Sequence, residues 1–285
     1  MRPILAFLTV MAATITSAQT IDFLVVTKLR DYDQTTAGAP VLVANPYLFG
    51  ASVDGTSLSG SYPVSPTVAV VSTGTQTLIT LAFDFDNWHF ESIGYADQTA
   101  LNAAYGSGTY TFQSSSFASV ILNLSNTDLY PNAPMATIST NSGLGFQWSG
   151  GVLLVNPSLF TTLTVATNTF GTNFNALSNH IGISGNSFTS NVNAESFNSA
   201  ANTLSLNIAS ATFLGGSTNK NIELEFNNII DFLLNTPSAG ITAVSAFTSA
   251  TTINIQVIPE PSTYAEIFGV MALAGAMFHR RRRLA

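Results

Sequence analysis

The chain lacks cysteine and contains few charged residues. None of its 285 residues is cysteine, so disulfides and the usual cysteine-histidine metal clusters are excluded. Charged side chains make up only 8% of the sequence, whereas 46% of the residues are hydrophobic. A folded body must therefore depend on an apolar core, and intrinsic disorder is disfavoured.

Basic residues are especially scarce between positions 19 and 258, where Lys28, Arg30 and Lys220 are the three present. Two of the 15 acidic residues, Glu260 and Glu266, lie beyond this body, which leaves 13 and a net charge near −10. We expect no nucleic-acid partner for such a surface, because phosphate recognition needs lysine and arginine. The chain also lacks a glycine-rich phosphate loop, and we expect no cofactor.

The first 18 residues have the order of a secretory signal peptide. Met1-Arg2-Pro3 is a short basic start, residues 4–15 form an apolar run, and small residues lead to Ala18. This order predicts export through the Sec translocon and cleavage by signal peptidase between Ala18 and Gln19.

The last 29 residues contain a proline motif, an apolar run and a basic end. The motif is Pro259, Glu260, Pro261, Ser262 and Thr263. The uncharged run extends from Ile267 to Phe278. The basic end is Arg280, Arg281, Arg282 and Arg283. The two prolines keep the motif extended, and the arginines favour the cytoplasmic side of a membrane.

The apolar run predicts one short membrane-spanning helix over residues 264–279. Fifteen residues from Tyr264 to Phe278 span ~22 Å at ~1.5 Å per residue, against a hydrocarbon core of ~30 Å. Such a thin span, with Glu266 at its outer edge, suits a temporary anchor better than a permanent one. The signal peptide and the basic end imply the same orientation, with the body outside the cytoplasm.

This tail closely resembles the PEP-CTERM sorting signal of Gram-negative bacteria. The resemblance implies that an exosortase in the inner membrane recognises residues 258–285 and cuts near the motif. It also implies that the body then reaches the cell surface or an exopolysaccharide matrix. The body itself resembles the strand-rich exported regions of verrucomicrobial-type PEP-CTERM proteins, in which immunoglobulin- or fibronectin-like sandwiches recur.

Hydrophobic residues in the body alternate with polar ones. The clearest segments are Ile79–Phe85, Leu204–Ile208, Ile222–Phe226 and Ile253–Val257. A period of two is typical of half-buried strands, and one short helix is predicted between Asp97 and Gly106. The pattern predicts an all-β fold of two tandem antiparallel sandwiches, 19–129 and 130–257, because turn formers cluster between Asn126 and Pro134.

Three pairs of acidic residues and two histidines are candidate site residues. Residues two apart on a strand share a face, so each pair is a candidate for binding calcium or flanking a glycosidic bond. Solvated strand faces are the simpler interpretation of the pairs, and an ordinary half-exposed strand or loop is the simpler interpretation of each histidine. The pairs are Asp31/Asp33, Asp84/Asp86 and Glu223/Glu225, and the histidines are His89 and His180.

Trp88 and Trp148 either stack on sugars or fill the core. Three functions therefore remain open. The favoured one is a non-enzymatic surface or matrix protein with a structural or adhesive body, since no catalytic or metal-binding motif stands out. The alternatives are a secreted carbohydrate-binding module and a secreted glycoside hydrolase.

Overall fold

The computed structural model describes residues 19–72, 75–84, 87–106, 108–124, 129–171, 179–197, 202–234 and 240–258. The predicted signal peptide, the sorting motif, the apolar run and the arginine end lie outside these residues, as does Asp86. Strands dominate the described part, which confirms the all-β class.

A ten-stranded main sheet is the largest element. Eight of its strands lie in one row, and a hairpin of two more pairs with the far end of β17. The row is β14 (Val192–Phe197), β13 (Asn179–Asn186), β16 (Asn219–Leu233), β17 (Thr242–Val257), β1 (Thr20–Asp33), β2 (Val41–Thr56), β6 (Asn87–Glu91) and β5 (Ala82–Asp84). The hairpin is β10 (Phe146–Ser149) and β11 (Val152–Val155).

Two smaller sheets accompany the main sheet. One has the order β4 (Thr75–Thr80), β3 (Thr67–Ser72), β7 (Gly108–Ser114) and β8 (Phe117–Leu124). The other has the order β15 (Ser205–Ala209), β12 (Thr162–Thr167) and β9 (Ala136–Thr140). Single 3₁₀ turns lie at Pro157–Leu159 and Ser210–Phe213.

Both smaller sheets pack on the same face of the main sheet. Odd-numbered residues of β17 share one face, because successive side chains of a strand alternate. Ala243 and Phe247 belong to the first core, with the four-stranded sheet, whereas Ile253 and Ile255 belong to the second core, with the three-stranded sheet. The long strand β17 thus contributes to two sandwich-like cores placed one after the other along it.

The strand order differs from the expected succession of two antiparallel sandwiches. The first and last strands lie side by side and run parallel, with Leu24 opposite Ala243, and β11 also runs parallel to β17. Residues of β17 therefore complete the core that we assigned to residues 19–129. The physical reason is burial, because Ala243 and Phe247 are fully covered in that core.

The connection between the two smaller sheets is held by polar side chains of the main sheet. The carbonyl oxygen of Pro131 accepts hydrogen bonds from Arg30 Nη2 (3.1 Å) and Ser249 Oγ (2.9 Å). Gln34 donates from Nε2 to the carbonyl of Ala136 (2.9 Å) and accepts from its amide at Oε1 (2.8 Å). These side chains thus provide hydrogen-bond partners for backbone groups of the connection, which buried backbone groups require.

The predicted helix is confirmed as α1 (Gln98–Ala104). Asp97 caps it, since its Oδ1 accepts the amide of Ala100 at 2.8 Å, and Leu101 is its buried residue. The helix follows β6 and carries Asn102 beside the first core.

Candidate functional site

The face of the main sheet opposite the cores carries two of the predicted acidic pairs. Alternation along β1 and β16 places Asp31, Asp33, Glu223 and Glu225 on that face, because the residues between them point to the cores. Glu195 of β14 joins them. We call these five residues the acidic face.

Strand register aligns three of these acids in one row across five strands. Ala250 of β17 lies opposite Asp31 on one side and Glu225 on the other. Gly182 of β13 lies between Glu225 and Glu195 in the same way. Neighbouring strands are ~4.8 Å apart, so successive acids in the row are about two strand spacings apart, with a small residue between them.

Burial of Glu225 controls the charge of this row. Its side chain is 8% exposed. Desolvation raises the pKa of Glu225 to about 8, repulsion from Glu223 adds to the rise, and a hydrogen bond from Asn227 opposes it. Glu195 and Asp31 raise that pKa further by repulsion. Glu225 is therefore mostly uncharged at neutral pH, because burial and the repulsion of neighbouring carboxylates both penalise its charged form.

A buried chain of hydrogen bonds runs beside the row. Asn227 Nδ2 donates to His180 Nδ1 (3.0 Å), and Thr248 Oγ1 donates to Asn227 Oδ1 (2.5 Å). Thr27 Oγ1 lies 2.8 Å from Thr248 Oγ1 and completes the chain across four strands. His180 Nε2 lies 3.9 Å from a carboxylate oxygen of Glu195, which links the chain to the row.

The acidic face can take up and release protons, since Glu225 has a pKa near neutral pH. Within the described ranges, no three histidine or acidic side chains are grouped so that they would hold a metal ion. The calcium interpretation of Asp31/Asp33 and Glu223/Glu225 gains no support from this arrangement. The third pair cannot be judged as a pair, since of its two members only Asp84, on the edge strand β5, is described.

His89 and Trp88 lie on opposite faces of β6. Trp88 is 6% exposed, donates from Nε1 to the carbonyl of Tyr62 (3.2 Å) and packs 5.5 Å from the ring of Phe83. It is therefore a core residue and no platform for a sugar. His89 lies opposite Ser52 on β2 and is five strands away from the position of His180.

Trp148 is also placed against a core. It lies on β10 opposite Leu153 and packs, half-buried, against the second core. The two tryptophans thus form no shared aromatic surface, since they belong to different cores.

The sheet ends just before the proline motif that begins at Pro259. The last described strand stops at Val257, and the amide of Ile258 donates to the carbonyl of Val155 at 2.8 Å. Pro259 is the next residue in the sequence. Among the helices in the described ranges, none has the length and apolar character needed to span a membrane.

Sequence reasoning missed Glu195 and Asn227 as members of this site. Both reach it through the register of β13 with its two neighbours, which joins residues that are far apart in the chain. The sequence signal for strand β14 is weak, because a half-buried strand is recognised by alternating buried residues and Val192 is the one fully buried residue of Val192–Phe197.

Comparison with known proteins gives no family. No protein-family model matches the chain, and no curated protein matches it. Among solved structures, it is similar to a DUF3823 family protein from Bacteroides ovatus ATCC 8483, with 8% identity over 82% of this chain and 98% of that chain. The TM-score of 0.23 is too low to support an argument about fold or function.

Proposed function

We propose that the chain is an exported, non-enzymatic protein of the cell surface or of an exopolysaccharide matrix, with a β body that acts as a structural or adhesive element. The observation that carries this proposal is the order of the tail, in which the motif from Pro259 to Thr263, the apolar run and four arginines follow directly on the last strand. This is the order of the PEP-CTERM signal that the tail resembles.

The two ends of the chain determine how the protein is exported, anchored and cleaved. The Sec translocon exports the chain, and signal peptidase cuts between Ala18 and Gln19. The helix over residues 264–279 holds the protein in the inner membrane, with Arg280 to Arg283 on the cytoplasmic side. An exosortase then cuts near Pro259–Pro261 and releases the body.

The position of β17 supports this order of events. Residues up to Ile258 make hydrogen bonds within the sheet, and the proline motif begins at the next residue, Pro259. A cut in or after the motif therefore leaves every described strand intact. The finer fold we propose is a pair of immunoglobulin- or fibronectin-like sandwich lobes that share the long strands β16 and β17.

A secreted glycoside hydrolase is the alternative that one observation favours. Glu225, with its raised pKa, lies in one row with Glu195 and Asp31, and a glycoside hydrolase uses one protonated and one ionised carboxyl group on the two sides of the glycosidic bond. The carboxylates lie on a sheet face, and Glu225 is almost inaccessible to a polymer. Release of reducing sugar from polysaccharides by the chain, and its loss in Glu225→Gln, would establish this alternative.

Mass spectrometry of the protein from cells that produce it tests the main proposal. We expect the mature form to begin at Gln19 and to lack every peptide beyond the motif. A matched strain with Pro259 and Pro261 changed to alanine should retain the tail and stay in the membrane fraction. Recovery of Arg280–Arg283 on protein at the cell surface would overturn the processing claim.

A glycan array on the released body distinguishes an adhesive body from a purely structural one. If the Trp148→Ala variant still binds exopolysaccharide, the adhesive surface does not include this half-buried ring. Absence of binding to every glycan would leave the structural role.

A further inference from the structure

Lys28 is a fully buried lysine on the face of the main sheet that carries the cores. Its relative exposure is 0%, and it lies opposite Phe49 of β2 and Phe247 of β17, which both belong to the first core. Lysine is almost never buried in this way without a specific partner.

Lys28 donates a hydrogen bond to the side-chain amide of Asn102 on α1. The Nζ atom of Lys28 lies 2.5 Å from Oδ1 of Asn102, across 74 residues of chain. N–H···O hydrogen bonds are usually about 2.7–3.2 Å long, whereas the nitrogen and oxygen of one covalent amide are about 2.3 Å apart. The observed separation lies between the two values.

The same separation places the amine close to the amide carbon. Oδ1 is bonded to Cγ at about 1.2 Å, so Cγ of Asn102 lies within about 3.7 Å of Nζ of Lys28. This is close to the separation of about 3–3.5 Å at which reacting atoms meet in a near-attack geometry.

We propose that Lys28 and Asn102 form an intramolecular isopeptide bond. The Nζ–Cγ bond forms, and the bond from Cγ to Nδ2 breaks. Two of the three protons of the lysine ammonium pass to the departing nitrogen, which leaves as ammonium. Charge and atoms balance, and the step needs no oxidant or other co-reactant.

The surroundings favour this reaction. The first core keeps water away from Lys28, and a desolvated lysine is a good nucleophile because its amine is not held by solvent. Phe49 stacks with Tyr105 (4.5 Å) and Tyr110 (5.4 Å), which builds a rigid wall beside the pair. Asn102 is half-buried at the rim of the core, so the released ammonium has a route to solvent.

The bond would serve an exported protein without cysteine. It closes a loop of 74 residues between β1 and α1, and a cross-link of this kind restricts the unfolded chain as a disulfide does. It would join the first strand of the main sheet to the helix that follows β6.

The test is mass spectrometry of the full-length chain purified from an expression host. The expected mass is about 17 Da below that of the sequence, because one ammonia is lost. If the host removes the first 18 residues, cyclisation of Gln19 at the new N-terminus also loses ammonia, so the position of the loss must come from a chymotryptic digest. We expect a branched peptide that contains both Lys28 and Asn102.

Two variants and one control make the result specific. Lys28→Met and Asn102→Ala should each lack the branched peptide, and each should lower the Tm by roughly 10 °C if the loop entropy of the cross-link is lost. Asn102→Ala lies at a half-buried helical position and should fold. Lys220→Met is the matched control, since Lys220 is also buried but donates to the backbone carbonyls of Ser187 and Gly215, which have no amide nitrogen that could leave as ammonia. It should keep the branched peptide. A linear peptide with unmodified Lys28 from folded wild-type protein would overturn the proposal.

Discussion

Asp31 and Glu225 lie opposite the same residue, Ala250, on the two neighbours of β17. The two acids are therefore about two strand spacings apart on one face of the sheet, at ~4.8 Å per spacing. Glu225 is the more buried of the two, and burial penalises its charged form. The acidic face thus stores a proton in the folded protein at neutral pH.

This stored proton predicts a stability that falls with rising pH. The pKa of Glu225 is about 8 in the folded chain against an ordinary value of 4.5, so between these values the native state binds a proton that the unfolded chain has released. Stability contributed by this group is complete below about pH 4.5 and is lost towards pH 8, by up to about 1.4 kcal/mol per pH unit. Urea denaturation from pH 5 to pH 8.5 measures it.

Glu225→Gln should flatten that dependence, because glutamine is uncharged throughout the range. Asp84→Asn is the control, since it removes an equal charge from an exposed position on the edge strand. Equal slopes for wild type and Glu225→Gln would contradict the buried, protonated state.

Asn227→Ala should destabilise the folded chain by about 1–3 kcal/mol. The substitution leaves His180 Nδ1 without its 3.0 Å donor and Thr248 without its acceptor, and unpaired buried polar groups carry a cost of this size. Asn254→Ala, at an exposed position of β17, should change the unfolding free energy by less than about 0.5 kcal/mol. Similar losses in both variants, measured by chemical denaturation, would argue against the buried chain of hydrogen bonds.

Gln34→Ala should weaken the attachment of the second core to β1. Gln34 is 1% exposed, and its side chain forms hydrogen bonds with both the amide and the carbonyl of Ala136. The substitution therefore leaves these two buried backbone groups without their hydrogen-bond partner. We expect a loss of roughly 2–4 kcal/mol in unfolding free energy, and hydrogen exchange should rise at Ala136 first. Gln147→Ala is the exposed control. Unchanged exchange at Ala136 would contradict the pairing.

The alternating pattern was enough to predict the strands but not their partners. Ile253, Ile255 and Val257 alternate with exposed polar residues because one face of that end of β17 meets solvent. The part of β17 from Ala243 to Thr252 is buried on both faces and is rich in alanine, serine and threonine, so it carries no such pattern. Its parallel pairing with β1 joins opposite ends of the chain, and local sequence does not encode that register.

The acidic face was likewise predictable only in its local features. The pairs Asp31/Asp33 and Glu223/Glu225 were evident because a period of two places both members on one face. Their meeting across Ala250, and the addition of Glu195 across Gly182, depend on long-range register. The raised pKa of Glu225 depends in turn on burial, which charge spacing alone does not predict.

The end of β17 predicts where the chain can be cut without loss of stability. A chain that ends at Ile258 keeps every described strand and the bond from Ile258 to the carbonyl of Val155, so its unfolding free energy should match that of the full-length protein within about 0.5 kcal/mol. A chain that ends at Asn254 lacks Ile255 and Val257, which are 2% and 9% exposed in the second core. Burial of each such side chain contributes about 1.5–3 kcal/mol, so this shorter chain should lose roughly 3–6 kcal/mol. Denaturation of the three chains in the same detergent measures both differences. A large loss on cutting at Ile258 would mean that the tail belongs to the folded body, and the tail would then be unsuited to removal by an exosortase.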